Sequence, residues 1–180
     1  DHIKELMVRL ARLSVDDVVL DTCTGSGGFL MEAMETMLSL ANGNEDLITR
    51  IKEHQLIGFE IDSVLFALTC SNMFLHGDGR TNLLYRSSLL DETQGGIVNN
   101  DDKELFNYIR SMKPTKVIIN PPYENNNPIK FTIQALKYLE HGGKLIIIMP
   151  TPTLTHNQNG LTEDVLSLAK LDFVIKMPTK

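Results

Sequence analysis

The sequence has little of several features that mark whole classes of protein. Its two cysteines, Cys23 and Cys70, form no CxxC pair or other ligand pattern, so a reducing cytoplasm is the expected setting. Its five histidines show no metal-ligand spacing, and we predict no metal site. No apolar run approaches the roughly 20 residues of a membrane span, and no charged-then-apolar start marks a signal peptide. The sequence therefore favours a cytoplasmic protein without a membrane or metal partner.

The chain also lacks an excess of basic residues. Its formal net charge is −6, whereas a domain that binds a phosphate backbone by itself usually carries a basic face. If nucleic acid is the substrate, most of the binding must come from absent regions or from a partner subunit. The sequence starts without methionine, which predicts a fragment of a longer protein. Its 180 residues, 42% of them hydrophobic, suit one domain with a sizeable core.

Apolar residues alternate between helical and strand spacing along the chain. We predict helices over residues 3–13, 27–40, 46–53, 63–75, 104–112, 128–139 and 161–170, and strands over residues 15–20, 56–60, 81–86, 115–119, 143–149 and 173–177. Residues 42–44 are a predicted turn and residues 91–102 a predicted polar loop. Continuous apolar strands separated by helices predict an α/β fold with a mainly parallel sheet covered on both faces. Ligands of such sheets bind beyond the carboxyl ends of the strands.

A glycine-rich stretch, DTCTGSGGF at residues 21–29, follows the first predicted strand and opens a helix. Its glycines permit a tight turn and close approach of a ligand, and the helix start offers free N–H groups to a polar or anionic partner. A dinucleotide fingerprint needs glycine at position 30, which is Leu30, and a P-loop needs Gly-Lys-Ser/Thr. Neither a pyrophosphate nor a triphosphate fits well, and a plain glycine-rich turn is the alternative.

An acidic stretch, GFEID at residues 58–62, follows the second predicted strand. Glu60 is placed to accept hydrogen bonds from ribose hydroxyls. We expect Ile61 to contact an adenine face and Asp62 to cap the next helix. Residues 41–54 lengthen the gap from the glycine loop and are interpreted as an insertion. An adenosine site that lacks the pyrophosphate pattern suggests S-adenosylmethionine.

The tetrapeptide Asn120-Pro121-Pro122-Tyr123 follows the fourth predicted strand. The prolines stiffen the chain, so the Asn120 amide and the Pro121 carbonyl present two acceptors at a defined spacing, and Tyr123 adds an aromatic face. This suits a planar group with an exocyclic amine. Two acceptors that take both N–H hydrogens favour a pyramidal nitrogen whose lone pair points at an electrophile. The electrophile would be the sulfonium methyl group, and a target base in duplex DNA would be flipped out, with Tyr123 stacked on it.

In this order, the three motifs resemble those of amino-methyltransferases that act on N6 of adenine in DNA. The sequence is most similar to the modification subunit of type I restriction-modification systems. Four further stretches extend the resemblance over essentially the whole chain, namely DHIKELMVRL, SNMFLHG, GGKLIIIMP and KLDFVIKMP. The resemblance implies a Rossmann-like fold, S-adenosylmethionine as methyl donor and a flipped-out DNA adenine as substrate. It also implies a specificity subunit and a restriction subunit as partners, and one catalytic domain over residues 1–180 that lacks N-terminal and target-recognition regions.

The resemblance also assigns roles residue by residue. The catalytic residues it implies, which would hold the target amine, are Asn120, Pro121, Pro122 and Tyr123. The cofactor-binding residues it implies are Asp21, Thr24, Gly25, Gly27, Glu60, Ile61, Ser87 and Asn120. Asp21 and the two glycines would shape the methionine side of the pocket, Glu60 would hold the ribose and Ile61 would contact the adenine.

Position 87 departs from the family pattern, which usually has an aspartate there to read the adenine amine of the cofactor. This chain has RSSL at residues 86–89, and Asp91 is a candidate substitute. The departure leaves a catalytically weakened regulatory subunit open as an alternative.

Other targets suit the same tetrapeptide: the side-chain amide of a protein glutamine (N5), N4 of cytosine, or an RNA adenine. The residue Phe29 after the glycine loop resembles the DNA enzymes more. A dinucleotide oxidoreductase is the least favoured reading, because of Leu30 and the unexplained tetrapeptide.

Overall fold

Helices and strands alternate along the chain, as the sequence predicts. The computed structural model describes residues 2–77, 82–90, 99–124, 127–154 and 160–177. The strands are β1 Val19–Asp21, β2 Leu56–Glu60, β3 Asn82–Tyr85, β4 Lys116–Ile119 and β5 Lys144–Ile147. The helices are α1 His2–Ala11, α2 Gly28–Ala41, α3 Glu45–His54, α4 Ser63–Leu75, α5 Asn100–Ser111, α6 Asn127–Tyr138 and α7 Leu161–Leu168, with a 3-10 helix at Thr151–Leu154. None of these described helices is long and apolar enough to cross a membrane.

The five strands form one sheet in the order β3-β2-β1-β4-β5, and every pairing is parallel. The chain builds one half of the sheet through β2 and β3, then returns to the other side of β1 with β4 and β5. The strand order therefore reverses between β1 and β4. Ligands of open parallel sheets bind at this switch point, beyond the carboxyl ends of the strands.

Helices cover both faces of the sheet, which confirms the predicted fold class. Neighbouring strand residues point to opposite faces, so Val19 packs into one buried cluster and Leu20 into the other. The first cluster is formed with α1, α2, α3 and Met73 of α4, and the second with α5 and α6. The buried strand residues on the first face are Val19, Leu56 and Ile118, and those on the second are Leu20, Ile57, Phe59, Val117 and Ile119.

Strand β1 is shorter than predicted, because residues 15–18 are turn and loop. The Gln55 side-chain amide donates to the carbonyls of Val15 (2.9 Å) and Asp17 (2.7 Å). The Asp17 carboxylate in turn accepts from the Ser14 backbone N–H at 2.7 Å. Side chains thus satisfy the backbone groups that a strand neighbour would have paired. The prediction of a strand from residue 15 is wrong over residues 15–18.

Helix α5 begins four residues earlier than predicted, at Asn100 rather than Glu104. The Asn99 side chain caps the helix by accepting from the Asp102 backbone N–H at 2.8 Å. Asp101 and Asp102 lie in the first turn, where the helix dipole favours carboxylates. The predicted polar loop is therefore wrong over residues 100–102, and its residues 91–98 lie outside the described ranges.

The strand predicted over residues 173–177 does not form in the part of the chain that the structure describes. Residues 171–177 are exposed, including Phe173 at 55% and Val174 at 71%. An apolar, β-branched pattern forms a strand when a neighbour supplies hydrogen bonds and covers its side chains, and no described strand pairs with this segment.

Candidate active site at the β1–β4 switch point

The glycine loop leaves the carboxyl end of β1 and enters α2 at Gly28. Gly25 (φ +57°) and Gly27 (φ +82°) are left-handed, a conformation that favours glycine. A Cβ atom at Gly27 would also lie 2.9 Å from the γ-methyl of Thr69. No side chain caps α2 at Gly27. The first N–H groups of the helix are thus left for a ligand or solvent.

Thr24 fastens the glycine loop to β2. Its backbone N–H and its hydroxyl both donate to the Phe59 carbonyl, at 2.9 and 3.0 Å. Gly58 permits this approach, since a Cβ atom there would lie 2.7 Å from the Thr24 γ-methyl. The Thr24 side chain is buried and holds the glycine loop against β2. Its predicted contact with a cofactor stays a prediction.

Glu60 links the end of β2 to the glycine loop. One carboxylate oxygen accepts from the Gly25 N–H at 2.8 Å, and the other accepts from the N–H groups of Ile61 and Asp62 at 2.8 Å each. An ionised carboxylate has about four acceptor positions, so one remains for a ligand hydroxyl. Ile61 is 68% exposed beside it. Asp62 caps α4 through the N–H groups of Val64 and Leu65, as predicted.

Asp21, the last residue of β1, is a fully buried carboxyl group. Oδ1 accepts from the Cys23 N–H at 3.0 Å, whereas Oδ2 has no hydrogen-bond partner among the described residues. Burial raises the pKa of Asp21 from 3.8 to about 7, and the charge of Glu60 adds to this shift. A buried, half-satisfied carboxyl group at a switch point is a candidate ligand contact.

The tetrapeptide begins directly after β4. Asn120, Pro122 and Tyr123 are exposed, and Pro121 is buried. The Tyr123 hydroxyl donates to Oδ1 of Asn120 at 2.8 Å. Burial raises the pKa of Tyr123, so the hydroxyl keeps the proton that it donates. The Pro121 carbonyl has no donor within the described ranges. Two acceptors predicted from the sequence are therefore present, one of them already holding a hydroxyl.

The glycine loop and the tetrapeptide lie side by side. Strands β1 and β4 pair Val19 with Lys116 and Leu20 with Val117, and the same register continued along the chain sets Cys23 beside Asn120. Burial, followed by the charge of Asp21, raises the pKa of the Cys23 thiol well above its ordinary value, while a hydrogen bond from the Asn120 backbone N–H acts in the opposite direction. Cys23 and Asn120 are therefore neighbours beyond the adjacent ends of β1 and β4.

The loop after β3 is also tied to this site. The Ser88 hydroxyl donates to the Thr22 carbonyl at 2.8 Å, and the buried Tyr138 hydroxyl donates to the Ser88 carbonyl at 2.8 Å. Ser87 is half-buried and its hydroxyl oxygen accepts from the Leu89 N–H at 3.2 Å. No sequence motif marks Ser88 or Tyr138, which resemble ordinary core residues. Asp91, the candidate substitute for the missing acidic residue, lies outside the described ranges.

Helix α4 supplies two further contacts to which no motif assigned a role, although Asn72 lies in the stretch SNMFLHG. The Thr69 hydroxyl donates to the Gly25 carbonyl at 2.5 Å, and the Asn72 side-chain amide donates to the Ser26 carbonyl at 3.0 Å. The one sequence signal is a pair of polar residues three positions apart in a helix without charged residues. Within the described ranges, no three His, Cys, Asp or Glu side chains gather as a metal site would require.

An all-parallel sheet of this strand order, with helices on both faces and a glycine loop after β1, is the Rossmann-like fold of S-adenosylmethionine-dependent methyltransferases. The family can be stated more narrowly. The chain belongs to the N-6 DNA Methylase family, whose model matches residues 1–180.

Restriction-modification proteins are among the known relatives of this chain. It is 35% identical over 161 residues to the type II restriction enzyme and methyltransferase RM.BcgI of Heyndrickxia coagulans, an alignment that covers 85% of this chain and 23% of that protein. It is 24% identical over 187 residues to the type I restriction enzyme EcoKI methylase subunit of Escherichia coli (strain K12), covering 96% and 35%. The crystal structure of the EcoKI M protein matches with a TM-score of 0.71 at 19% identity, covering 89% of this chain and 36% of that one. The chain thus spans about a third or less of the length of these relatives.

Proposed function

We propose that this chain is the catalytic domain of a DNA methyltransferase of a restriction-modification system, which transfers a methyl group from S-adenosylmethionine to N6 of adenine. The observation that carries the proposal is the position of the glycine loop and Asn120 at the adjacent ends of β1 and β4, at the switch point of the sheet. A cofactor at the loop and an amine at Asn120 would lie next to each other. Family membership favours DNA over a glutamine side chain as the substrate.

The residues around the glycine loop suit S-adenosylmethionine chemically. Oδ2 of Asp21 is buried without a partner, and a neighbouring donor or cationic group would relieve the cost of that burial. Glu60 keeps an acceptor position for a ribose hydroxyl, and the exposed Ile61 offers an apolar contact for adenine. Asp21, Gly25 and Gly27 would hold the methionine end. When bound, the cofactor supplies an electrophilic sulfonium methyl group.

Ser87 offers a hydroxyl where the family usually has a carboxylate. A hydroxyl can accept one hydrogen bond from the adenine amine of the cofactor, but it lacks the charge that strengthens such a bond. We therefore expect binding of S-adenosylmethionine to persist with reduced selectivity for the adenine base.

The tetrapeptide would orient the target amine. Oδ1 of Asn120 and the Pro121 carbonyl accept its two hydrogens, which keeps the nitrogen lone pair free for the methyl group. This requires no strong base, since positioning and electrostatic stabilisation lower the barrier. The Tyr123 hydroxyl takes one of the two acceptor positions of Oδ1 of Asn120, which leaves the second for the target amine, and the exposed ring could stack on a flipped-out base. The proton displaced from the methylated nitrogen passes to water.

The proposed partners follow from charge and length. With a net charge of −6, this domain alone should bind DNA weakly. We therefore propose that further regions of the protein supply most of the DNA binding, and that a specificity subunit and a restriction subunit complete the enzyme. The coverage of 23% and 35% of the relatives supports a domain that works within a larger protein. Host DNA as the substrate would place the enzyme in the cytoplasm.

The proposal is tested by methyl transfer in vitro. The full-length protein, purified with the subunits that accompany it, is incubated with unmethylated DNA and S-adenosylmethionine labelled in the methyl group. Label should enter adenine in the DNA, and Asn120→Ala should prevent this. Asn107→Ala, an exposed substitution on α5, is the matched control and should transfer label normally. Equal labelling by wild type and Asn120→Ala would refute the proposed site.

A further inference from the structure

Helix α4 holds the glycine loop at two successive peptide groups. Thr69 donates to the Gly25 carbonyl and Asn72 to the Ser26 carbonyl, although the partners lie 44 and 46 positions apart in sequence. Thr69 is fully buried, and its γ-methyl fills the space that a Cβ atom at Gly27 would need. The same side chain therefore donates to one loop glycine and packs against another.

These bonds fix the orientation of the loop amides. A trans peptide is planar, with its N–H opposite its carbonyl, so holding the Gly25 carbonyl towards Thr69 turns the Ser26 N–H away from α4. The Gly25 N–H is already directed to Glu60, and the Gly27 N–H donates to the Thr24 carbonyl at 2.8 Å. The Ser26 N–H has no acceptor within the described ranges. Ser26 itself is exposed, which leaves this N–H available to a ligand.

We propose that Thr69 and Asn72 are positioning residues of the cofactor site, which hold the glycine loop so that the Ser26 N–H faces the bound cofactor. The proposal rests on the proposed function, because it takes S-adenosylmethionine as the ligand of this loop. Neither side chain needs to touch the cofactor. Each acts through a loop carbonyl, and loss of either donor lets the corresponding peptide group rotate.

Two substitutions at Thr69 distinguish positioning of the glycine loop from a purely structural role of this side chain. Thr69→Val keeps the buried volume and removes the donor, which leaves the Gly25 carbonyl unsatisfied. We expect the Kd for S-adenosylmethionine to rise on the order of tenfold, because the freed peptide group must be turned back on binding at a cost of about one hydrogen bond. Thr69→Ser restores the donor and should bind within about twofold of wild type.

Asn72→Ala gives a test that does not depend on burial. Asn72 is half-buried and alanine has the higher helix propensity, so α4 should not be weakened. We expect a rise of about threefold or more in the same Kd. Ser71→Ala is the matched control, because the exposed Ser71 hydroxyl donates within α4 to the Ala67 carbonyl.

The experiment uses the full-length protein with its accompanying subunits. Calorimetry gives the Kd for S-adenosylmethionine, circular dichroism gives Tm, and methyl-transfer kinetics give KM and kcat. If Thr69 and Asn72 are positioning residues, Thr69→Val and Asn72→Ala should raise KM for S-adenosylmethionine. Both variants should retain kcat at saturating cofactor and keep Tm within a few degrees of wild type. Unchanged affinity in Thr69→Val and Asn72→Ala would overturn the inference, as would an equal loss in Thr69→Ser. If wild type binds no S-adenosylmethionine, the proposed function fails and the inference fails with it.

Discussion

Replacing Asp21 with asparagine should stabilise the protein at neutral and alkaline pH while weakening cofactor binding. The Asp21 carboxyl is fully buried, and Oδ2 has no partner among the described residues. Burial raises its pKa from 3.8 to about 7. Asparagine has nearly the same shape and carries no charge, so it removes the cost of a buried carboxylate.

The pH dependence follows from the direction of this shift. Below pH 3.8 the carboxyl is protonated in both the folded and the unfolded chain, and its titration has no effect. Between pH 3.8 and about 7 the unfolded chain ionises and the folded chain does not, so the wild type loses stability as pH rises. At roughly 1.4 kcal/mol per pKa unit, the advantage of Asp21→Asn should grow by about 2 kcal/mol from pH 5 to pH 7 and level off by about pH 8.

Urea unfolding at pH 5, 6, 7 and 8 measures this difference directly. The comparison between pH values cancels any constant effect of the amide. Asp172→Asn, the same substitution at an exposed position, is the matched control. Calorimetry on the same variants should show that Asp21→Asn binds S-adenosylmethionine more weakly. A stability difference between wild type and Asp21→Asn that stays flat from pH 5 to pH 8 would refute the assignment of Asp21 as a buried, strained carboxyl group.

Three further substitutions test other parts of the site. Asn120→Ala should abolish methyl transfer and leave the Kd for S-adenosylmethionine within about twofold, because it removes an acceptor for the target amine and not a principal cofactor contact; loss of cofactor binding in calorimetry would contradict this. Tyr123→Ala should weaken base flipping and Tyr123→Phe should have a mild effect, as reported by a fluorescent base analogue at the target position; equal signals for wild type and Tyr123→Ala would exclude stacking. Gly27→Ala should lower the free energy of unfolding by about 1–2 kcal/mol from its left-handed backbone alone, which lowers Tm by about 2–4 °C per kcal/mol. The double variant Gly27→Ala/Thr69→Ser lacks the clashing γ-methyl and should recover part of the lost stability.

The sequence predicted most closely the elements whose ends carry strong local signals. Strand β2 and helix α4 have the predicted bounds, because their boundaries carry strong signals: a continuous buried run for β2 and the Asp62 cap for α4. The motif residues were also predicted to follow strands β1, β2 and β4, and they do. Their convergence follows from the parallel strand order.

The strand predictions that were wrong concern segments whose structure depends on partners distant in sequence. Residues 15–18 have a strand-like pattern, but Gln55 takes the backbone bonds that a strand would use. The segment at residues 173–177 is apolar and β-branched without a described strand beside it. Periodicity reports which face of an element is apolar, and it carries no information on which element lies next to it.

Sequence motifs likewise did not predict several hydrogen bonds of the candidate active site. The bonds from Thr69 to Gly25 and from Tyr138 to Ser88 join a side chain to backbone that no motif links, and the tetrapeptide motif does not predict the bond from Tyr123 to Asn120 within it. The Tyr123 contact adds to the expected role of that residue: its ring was predicted to stack on the target, and its hydroxyl also takes one of the two acceptor positions of the Asn120 amide oxygen.

The most direct test of the central claim is the chemical identity of the methylated base. The intact gene and its neighbouring genes are expressed in a host that lacks DNA methyltransferases, beside a matched copy carrying Asn120→Ala. The host DNA is digested to nucleosides and measured by mass spectrometry. We expect N6-methyladenine in the DNA of the host that carries the wild-type gene and none in the DNA of the host that carries Asn120→Ala. Absence of N6-methyladenine from both would contradict the proposed function.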